Sequence, residues 1–156
     1  MNRETPSQPS LNAWPLWVRL EKKVGISRGW ESITWEVAEI SHLPLEHPES
    51  VRLELQLFKD LRSAYRFNLS SQNPKLFVVC QETEQGLVPH QISSCQDVAA
   101  DYMDAGQPVL DIPLPAPIHA WMEAFMAHHG EEDPRAGKRR MRGKPKADQN
   151  PQETSS

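Results

Sequence analysis

In the segment "VRLELQLF", residues 51–58, apolar and polar side chains alternate as far as Leu57. Val51, Leu53, Leu55 and Leu57 share one parity, and the intervening residues are polar: Arg52, Glu54 and Gln56. Because successive side chains of a strand point to opposite faces of a sheet, this pattern predicts a strand with one buried and one solvated face. A sheet of that kind is typically antiparallel, and other elements must cover its apolar face.

Similar alternation predicts strands on either side of this segment. Residues 17–26 and 31–40 alternate, and the turn sequence "SRG" lies between them. Residues 42–50 contain two prolines and predict a loop. The alternation of Tyr65, Phe67 and Leu69 indicates that residues 63–70 form a hairpin with residues 51–58.

The next apolar run predicts a strand in the middle of a sheet. Within residues 75–82, the run Leu76–Val79 is apolar at every position, as in a strand buried on both faces. The segment "LVPHQIS", residues 87–93, is the expected hairpin partner. Because Pro89 lacks a backbone N–H, that partner must lie at the edge of the sheet.

Two helices are predicted toward the C-terminus. In the first, Ser94 stands at the N-cap position and Gly106 at the C-terminal end. The second begins near Pro117 and ends at Gly130, and we expect it to pack across the sheet. Its apolar residues fall at spacings of three, four, seven and eight, which places them on one helical face: Ile118, Trp121, Met122, Phe125 and Met126.

The predicted fold is therefore α+β. It has an antiparallel sheet of about six strands, with curling toward a barrel as an alternative, and two C-terminal helices that cover one face. Residues 14–130 form the single globular domain in this interpretation. Residues 1–13 are polar, and residues 131–156 are rich in charge, proline, glycine and serine, so both ends are predicted to be disordered.

Charge is distributed unevenly along the chain. The formal net charge is −4, yet residues 131–156 contain seven basic and five acidic residues, so the acidic excess lies in residues 1–130. An acidic domain does not suit a nucleic-acid-binding face. The segment "KRRMRGKPK" could contact nucleic acid or an acidic partner, or could act only as a solubilising tail. Its candidate contact residues are Lys138, Arg139, Arg140 and Arg142.

No motif in the sequence points to catalysis, a metal or a cofactor. The chain lacks CxxC, HExxH and a glycine-rich phosphate loop. Cys95 at a predicted helix start could pair with His90, but no nucleophile signature surrounds it, and the expected role is structural. Two cysteines are too few for a secreted disulfide framework. With no apolar signal core and no apolar stretch near the roughly 18 residues of a membrane helix, we expect a cytoplasmic protein without membrane insertion.

Five tryptophans are many for 156 residues. Trp35 and Trp121 fit the predicted core faces. Trp14, Trp17 and Trp30 are candidate anchors for a protein partner, because exposed tryptophans are frequent at protein interfaces, although core packing is the alternative.

Three segments carry a resemblance to a known family. They are "GWESITWEVAEI", "ELQLFKDLRSAYRFNLSSQNPKLFVV" and "AADYMDAGQPVLDIPLPAPIHAWMEAFMAHH", in that order. Over residues 14–129 the chain resembles a proteobacterial family, the domain of unknown function numbered 3305. The resemblance carries over no catalytic residue.

The resemblance implies a setting beside molybdenum-dependent formate dehydrogenases and their maturation factors. The leading hypothesis is a non-enzymatic accessory protein that binds a formate dehydrogenase subunit or another maturation factor. The alternative is a small β-rich nucleic-acid-binding protein that uses its basic tail, and a third possibility is an enzyme or cofactor carrier with an unrecognised pocket. The partner's identity and the oligomeric state stay open at this stage.

Overall fold

A computed structural model describes residues 9–130, and within them it has six strands and three α-helices. A short 3₁₀ turn, Lys59–Leu61, leads into the first helix. The elements, in chain order, are β1 (Ala13–Ser27), β2 (Trp30–Ser41), β3 (Val51–Gln56), α1 (Arg62–Leu69), β4 (Lys75–Thr83), β5 (Gly86–Ser93), α2 (Gln96–Asp104), β6 (Val109–Pro113) and α3 (Ala116–His129).

The α+β class and the number of strands are confirmed, but the strands form two sheets. The first has the order β2-β1-β3 and the second the order β5-β4-β6, and every pairing is antiparallel. Within residues 9–130 the sheets do not close into a barrel. The break between them coincides with α1, which takes the chain from β3 to β4.

Both sheets contribute to one hydrophobic core. In the first half of β1 the even-numbered residues, among them Leu16 and Val18, point into it from the first sheet, and Leu76 and Val78 point into it from the second. Helix α3 supplies further buried residues, as the sequence predicts for its apolar face: Ile118, Met122, Phe125 and Met126. Burial of such side chains is the main stabilising contribution to a fold of this kind.

Strand β4 lies between two neighbours, and its side chains are buried on both faces. Every residue from Leu76 to Cys80 is at most 8% exposed, which confirms the predicted central strand. Strand β5 is an edge strand, as Pro89 requires. Pro89 stands opposite Cys80, where the register of the β4–β5 pairing shifts by a residue.

The predicted strand over residues 63–70 is wrong, because this segment is helix α1. Tyr65, Asn68 and Leu69 are buried, whereas Phe67, which alternation placed on the same face as Tyr65, is 68% exposed. Spacings of three and four put the buried residues on one helical face. The hydroxyl of Tyr65 accepts a hydrogen bond from the backbone N–H of Phe58 at 2.9 Å, and this contact ties the helix to the end of β3.

The other two helices occur where the sequence predicts them. Helix α2 begins one residue later than expected, since Cys95 rather than Ser94 is its N-cap. The hydroxyl of Ser93 instead accepts the N–H of Cys95 at 3.0 Å. Gly106 has a φ of +88°, as the predicted helix end requires. Among the helices of residues 9–130, none is long and apolar enough to cross a membrane.

Candidate interaction surface

Strand β1 changes character halfway along its length. Its first half is largely buried, and Leu16, Val18 and Leu20 are at most 5% exposed. From Glu21 to Ser27 every residue is exposed. The change follows from pairing, because β3 accompanies β1 only as far as Val18.

Beyond that point β1 and β2 continue as a two-stranded ribbon, which we define as residues 21–36. Pairing runs to Ser27 opposite Trp30, so the loop has only two residues, Arg28 and Gly29. Their φ angles are +54° and +81°, as a type I′ turn requires. The exposed part of each strand has about seven residues, so the ribbon extends roughly 20 Å beyond the body.

One face of the ribbon carries an apolar cluster that residues 9–130 leave exposed. Val24 stands directly opposite Ile33, and Ile26 lies on the same face two residues further on. Their exposed fractions are 56%, 54% and 79%, respectively. This face continues the core-facing side of Leu20, since all these β1 positions share one parity. Lys22 and Glu31 lie on the same face at either end of this cluster. An exposed apolar patch with a polar rim is typical of a surface that binds another molecule.

The opposite face of the ribbon is polar apart from Trp30, and its charges are paired with one another. The ammonium of Lys23 lies 3.5 Å from a carboxylate oxygen of Glu36 and 3.9 Å from one of Glu21. The ribbon has three acidic and three basic residues: Glu21, Glu31, Glu36, Lys22, Lys23 and Arg28. With no net charge, it attracts neither polyanions nor polycations over long range. The ribbon therefore suits an apolar partner better than nucleic acid.

The three candidate tryptophans occupy different environments. Trp30, beside the turn, is 78% exposed, so it is available to a partner. Trp14 is 7% exposed and packs edge-on against Trp121, with ring centroids 5.4 Å apart. Trp17 is 9% exposed, and the guanidinium of Arg52 lies 5.7 Å from its ring centroid. In the folded chain, Trp14 and Trp17 therefore pack within the body, as the core alternative predicts.

Trp35 fixes the base of the ribbon to the second sheet. Its indole lies so close to Gly86 that a Cβ at that position would meet two ring carbons at 2.5 and 2.7 Å. Gly86 has a φ of +116°, and it is the first residue of β5, directly after the turn from β4. Glycine is thus required here both for conformation and for space. The prediction that Trp35 belongs to the core is confirmed, since it packs against the core cluster.

The basic residues predicted for the tail, Lys138, Arg139, Arg140 and Arg142, lie outside the described residues. Their role in binding a partner or nucleic acid stays a prediction. Alternation in residues 17–26 and 31–40 predicts the strands but not that Val24, Ile26 and Ile33 are left exposed. The local sign is Lys22, which interrupts the apolar parity of β1.

The thiol–imidazole pair that the sequence allows is not assembled. Cys95 is fully buried, whereas His90 is exposed on β5. Burial raises the pKa of the Cys95 thiol, which disfavours the nucleophilic thiolate. Within residues 9–130 no three histidine, cysteine, aspartate or glutamate side chains come together as metal ligands would.

One open hollow of about 450 Å³ lies between β4 and the segment after α2. Its lining residues are Cys80, Gln81, Glu82, Gly106, Gln107 and Pro108. Burial raises the pKa of the Cys80 thiol to about 11, so the thiol is protonated at neutral pH. The hollow thus offers one carboxylate and no activated nucleophile.

The comparison with protein families identifies a relationship over most of the chain. The family model described as "Protein of unknown function (DUF3305)" matches residues 18–140. No curated protein and no solved structure matches the chain. The matched range contains the whole ribbon and every helix and strand except the first residues of β1. The chain therefore belongs to the DUF3305 family.

Proposed function

We propose that this chain is a non-enzymatic accessory protein that works by binding another protein through its ribbon. The observation that carries the proposal is the apolar face of Val24, Ile26 and Ile33, which extends the core face of β1 but is left exposed by the rest of residues 9–130. The exposed indole of Trp30, beside the turn on the other face of the ribbon, adds an anchor of the type enriched at interfaces. The absence of net charge on the ribbon favours a partner with an apolar groove.

The finer part of the proposal concerns the partner. We assign it to the assembly of a molybdenum-dependent formate dehydrogenase, either an enzyme subunit or another maturation factor. The support for this assignment is the setting implied by the resemblance of the sequence. The fold and the ribbon support binding only in general.

The test uses a strain in which the gene is deleted. Full-length wild-type chain should restore formate oxidation and molybdenum content, whereas Ile26→Lys should restore neither, because a charge on the apolar face blocks docking. Phe67→Lys is the matched control, since Phe67 is 68% exposed on the body and its replacement should restore both. Normal formate oxidation and molybdenum content in the deletion strain would contradict the assignment to formate dehydrogenase.

Binding itself is tested separately with purified proteins. Isothermal titration of the cofactor-free formate dehydrogenase subunit, and of its maturation factors, should give heat with the wild-type chain. The Ile26→Lys variant should bind at least tenfold more weakly, a change of about 1.4 kcal/mol. Equal affinities of the wild-type and Ile26→Lys chains would show that the ribbon's apolar face is not the binding surface.

A further inference from the structure

We propose that the ribbon also pairs with a second copy of this chain, through the outer edge of β2. The inference is independent of the partner proposed above, because edge pairing uses backbone groups and leaves the apolar face open. Two copies would form a continuous six-stranded sheet, in which β2 of one copy lies beside β2 of the other and β3 lies at each outer edge. The apolar faces of the two ribbons would then join into one surface of twice the area.

The first observation is that the outer edge of β2 is open. Among residues 9–130, β2 pairs with β1 alone, so one row of its backbone N–H and C=O groups has no strand partner. From Trp30 to Glu36 every residue but Trp35 is also exposed. Unpaired edges of this kind are templates for another strand.

The second observation is that this edge is weakly protected. Edge strands are commonly shielded by charged side chains, above all lysine, by proline or by a bulge. In the ribbon, β2 carries only Glu31 and Glu36 as charged residues, one on each face. The sequence "WESITWEVAEIS" of β2 contains neither lysine nor proline. Its one irregularity leaves Ala38 without a partner on β1, and Ala38 lies in the body rather than in the ribbon. By contrast, the exposed edge of β1 carries Lys22 and Lys23.

The third observation is that the edge is complementary to itself. When two copies of β2 pair antiparallel about a two-fold axis, their apolar faces lie on the same side only if one residue stands opposite its own counterpart in the second copy. Within the ribbon, the axis can lie in this way at Ser32, Ile33 or Thr34. Glu31 and Glu36 lie on opposite faces, so none of these three alignments sets one glutamate against the other. An axis at Ser32 pairs Trp30 with Thr34 of the second copy. An axis at Thr34 instead pairs Ile33 with the second copy's Trp35.

The experiment measures the mass of the full-length chain by light scattering and sedimentation from about 5 to 200 µM, a range that brackets a Kd on the order of 10 µM. Wild type should pass from monomer to dimer over this range. A chain that remains monomeric at the highest concentration would overturn the proposal.

The double variant Ser32→Lys with Thr34→Lys tests the location of the contact. In each of the three alignments at least one introduced lysine faces its counterpart, so the dimer should weaken by roughly tenfold or more. The matched control is Gly25→Lys with Ser27→Lys, which adds the same charge to the same face of the ribbon on β1, one strand further from the axis. The control should dimerise within about threefold of wild type.

Circular dichroism and thermal unfolding of both double variants establish that they are folded. Equal weakening by the two lysine pairs, or no weakening by the β2 pair, would place the contact elsewhere and overturn the proposal. Selective weakening by the β2 pair would support it.

Discussion

The two halves of β1 have the same alternating pattern, but the first half is buried and the second is exposed. Val18 is completely buried in the body, whereas Val24, on the same face of the same strand, is 56% exposed in the ribbon. In the body, a third strand, the second sheet and α3 enclose that face. Alternation therefore determines the face of the sheet to which a side chain points, whereas distant parts of the chain determine whether that face is buried.

The two regions also differ in how they are held together. The body combines a shared core with buried hydrogen bonds, whereas the ribbon depends on cross-strand pairs and one tight turn. Each such pair contributes only about 0.2–1 kcal/mol, and an isolated two-stranded hairpin is marginally stable in water. Substitutions in the body should therefore change global stability far more than substitutions in the ribbon.

The largest effect is expected at Asn68, which is buried beside β4. Its amide donates to the carbonyls of Lys75 and Ser94 at 2.8 and 2.9 Å, and its side-chain oxygen accepts the N–H of Lys75 at 3.0 Å. Asn68→Leu would leave these backbone groups unsatisfied, at a cost of about 3–5 kcal/mol in the free energy of unfolding. Urea denaturation measures it, with Ser32→Ala in the ribbon as a counterpart expected to cost less than about 0.5 kcal/mol. A loss below about 1 kcal/mol for Asn68→Leu would contradict the expectation that substitutions in the body affect global stability far more than those in the ribbon.

A somewhat smaller effect is expected where the ribbon meets the body. Gly86→Ala would displace the indole of Trp35 and strain a residue with a φ of +116°, at a cost of about 2–3 kcal/mol. Gly29→Ala at the tip of the ribbon is the control, because φ is also positive there but nothing lies within 4 Å of the added Cβ. It should cost only about 1 kcal/mol. Thermal unfolding that gave the same loss for both variants would show that Trp35 does not anchor the ribbon.

The two valines of β1 give the closest matched pair. Val18→Ala removes fully buried methyl groups and should cost about 2 kcal/mol. Val24→Ala should cost less than about 1 kcal/mol, mainly through lower strand propensity. Denaturant titration of the monomer measures both values. Equal losses would mean that the ribbon folds against the body in solution.

The smallest effect concerns exposed ion pairs. Arg66 on α1 donates to both carboxylate oxygens of Glu123 on α3, at 2.9 and 3.2 Å, and these hydrogen bonds lower the pKa of Glu123. A lowered folded-state pKa contributes stability above the unfolded-state pKa, and that contribution disappears as the pH falls through the folded-state value. At pH 7, a double-mutant cycle should give a coupling free energy of about 0.5 kcal/mol for this pair, because both side chains are partly solvated. At a pH well below the ordinary glutamate pKa, the coupling should be lost. The pair Lys23–Glu36 in the ribbon, at 3.5 Å, should give less at pH 7, and a larger coupling there would contradict the ranking.

Much of the sheet structure could be predicted from sequence because its signals are local. Alternation placed β1, β2 and β3, the solid apolar run placed β4 at the centre of its sheet, and Pro89 placed β5 at an edge. These features depend on the two-residue period of the apolar side chains, on the backbone N–H that proline lacks and on the conformational preferences of the turn residues. All of them are properties of neighbouring residues.

The errors arose where tertiary contacts decided the outcome. Tyr65 and Leu69 fit both a period of two and a helical spacing, and the hydrogen bonds of Tyr65 and Asn68 to distant backbone groups favour the helix. Trp17 was a candidate anchor for a partner, yet Arg52 of β3 packs on its ring. The exposed face of Val24 and Ile26 could not be predicted either, since it depends on where β3 stops.

Backbone hydrogen exchange of the full-length chain at a concentration low enough to keep it monomeric tests most directly whether the ribbon lies outside the body. Amides of residues 21–36 should exchange at least about 100-fold faster than those of Leu76–Cys80, because they can open without unfolding the core. Equal protection of the two segments would contradict this account, since it would mean that the ribbon is covered by the body and has no free face to offer a partner.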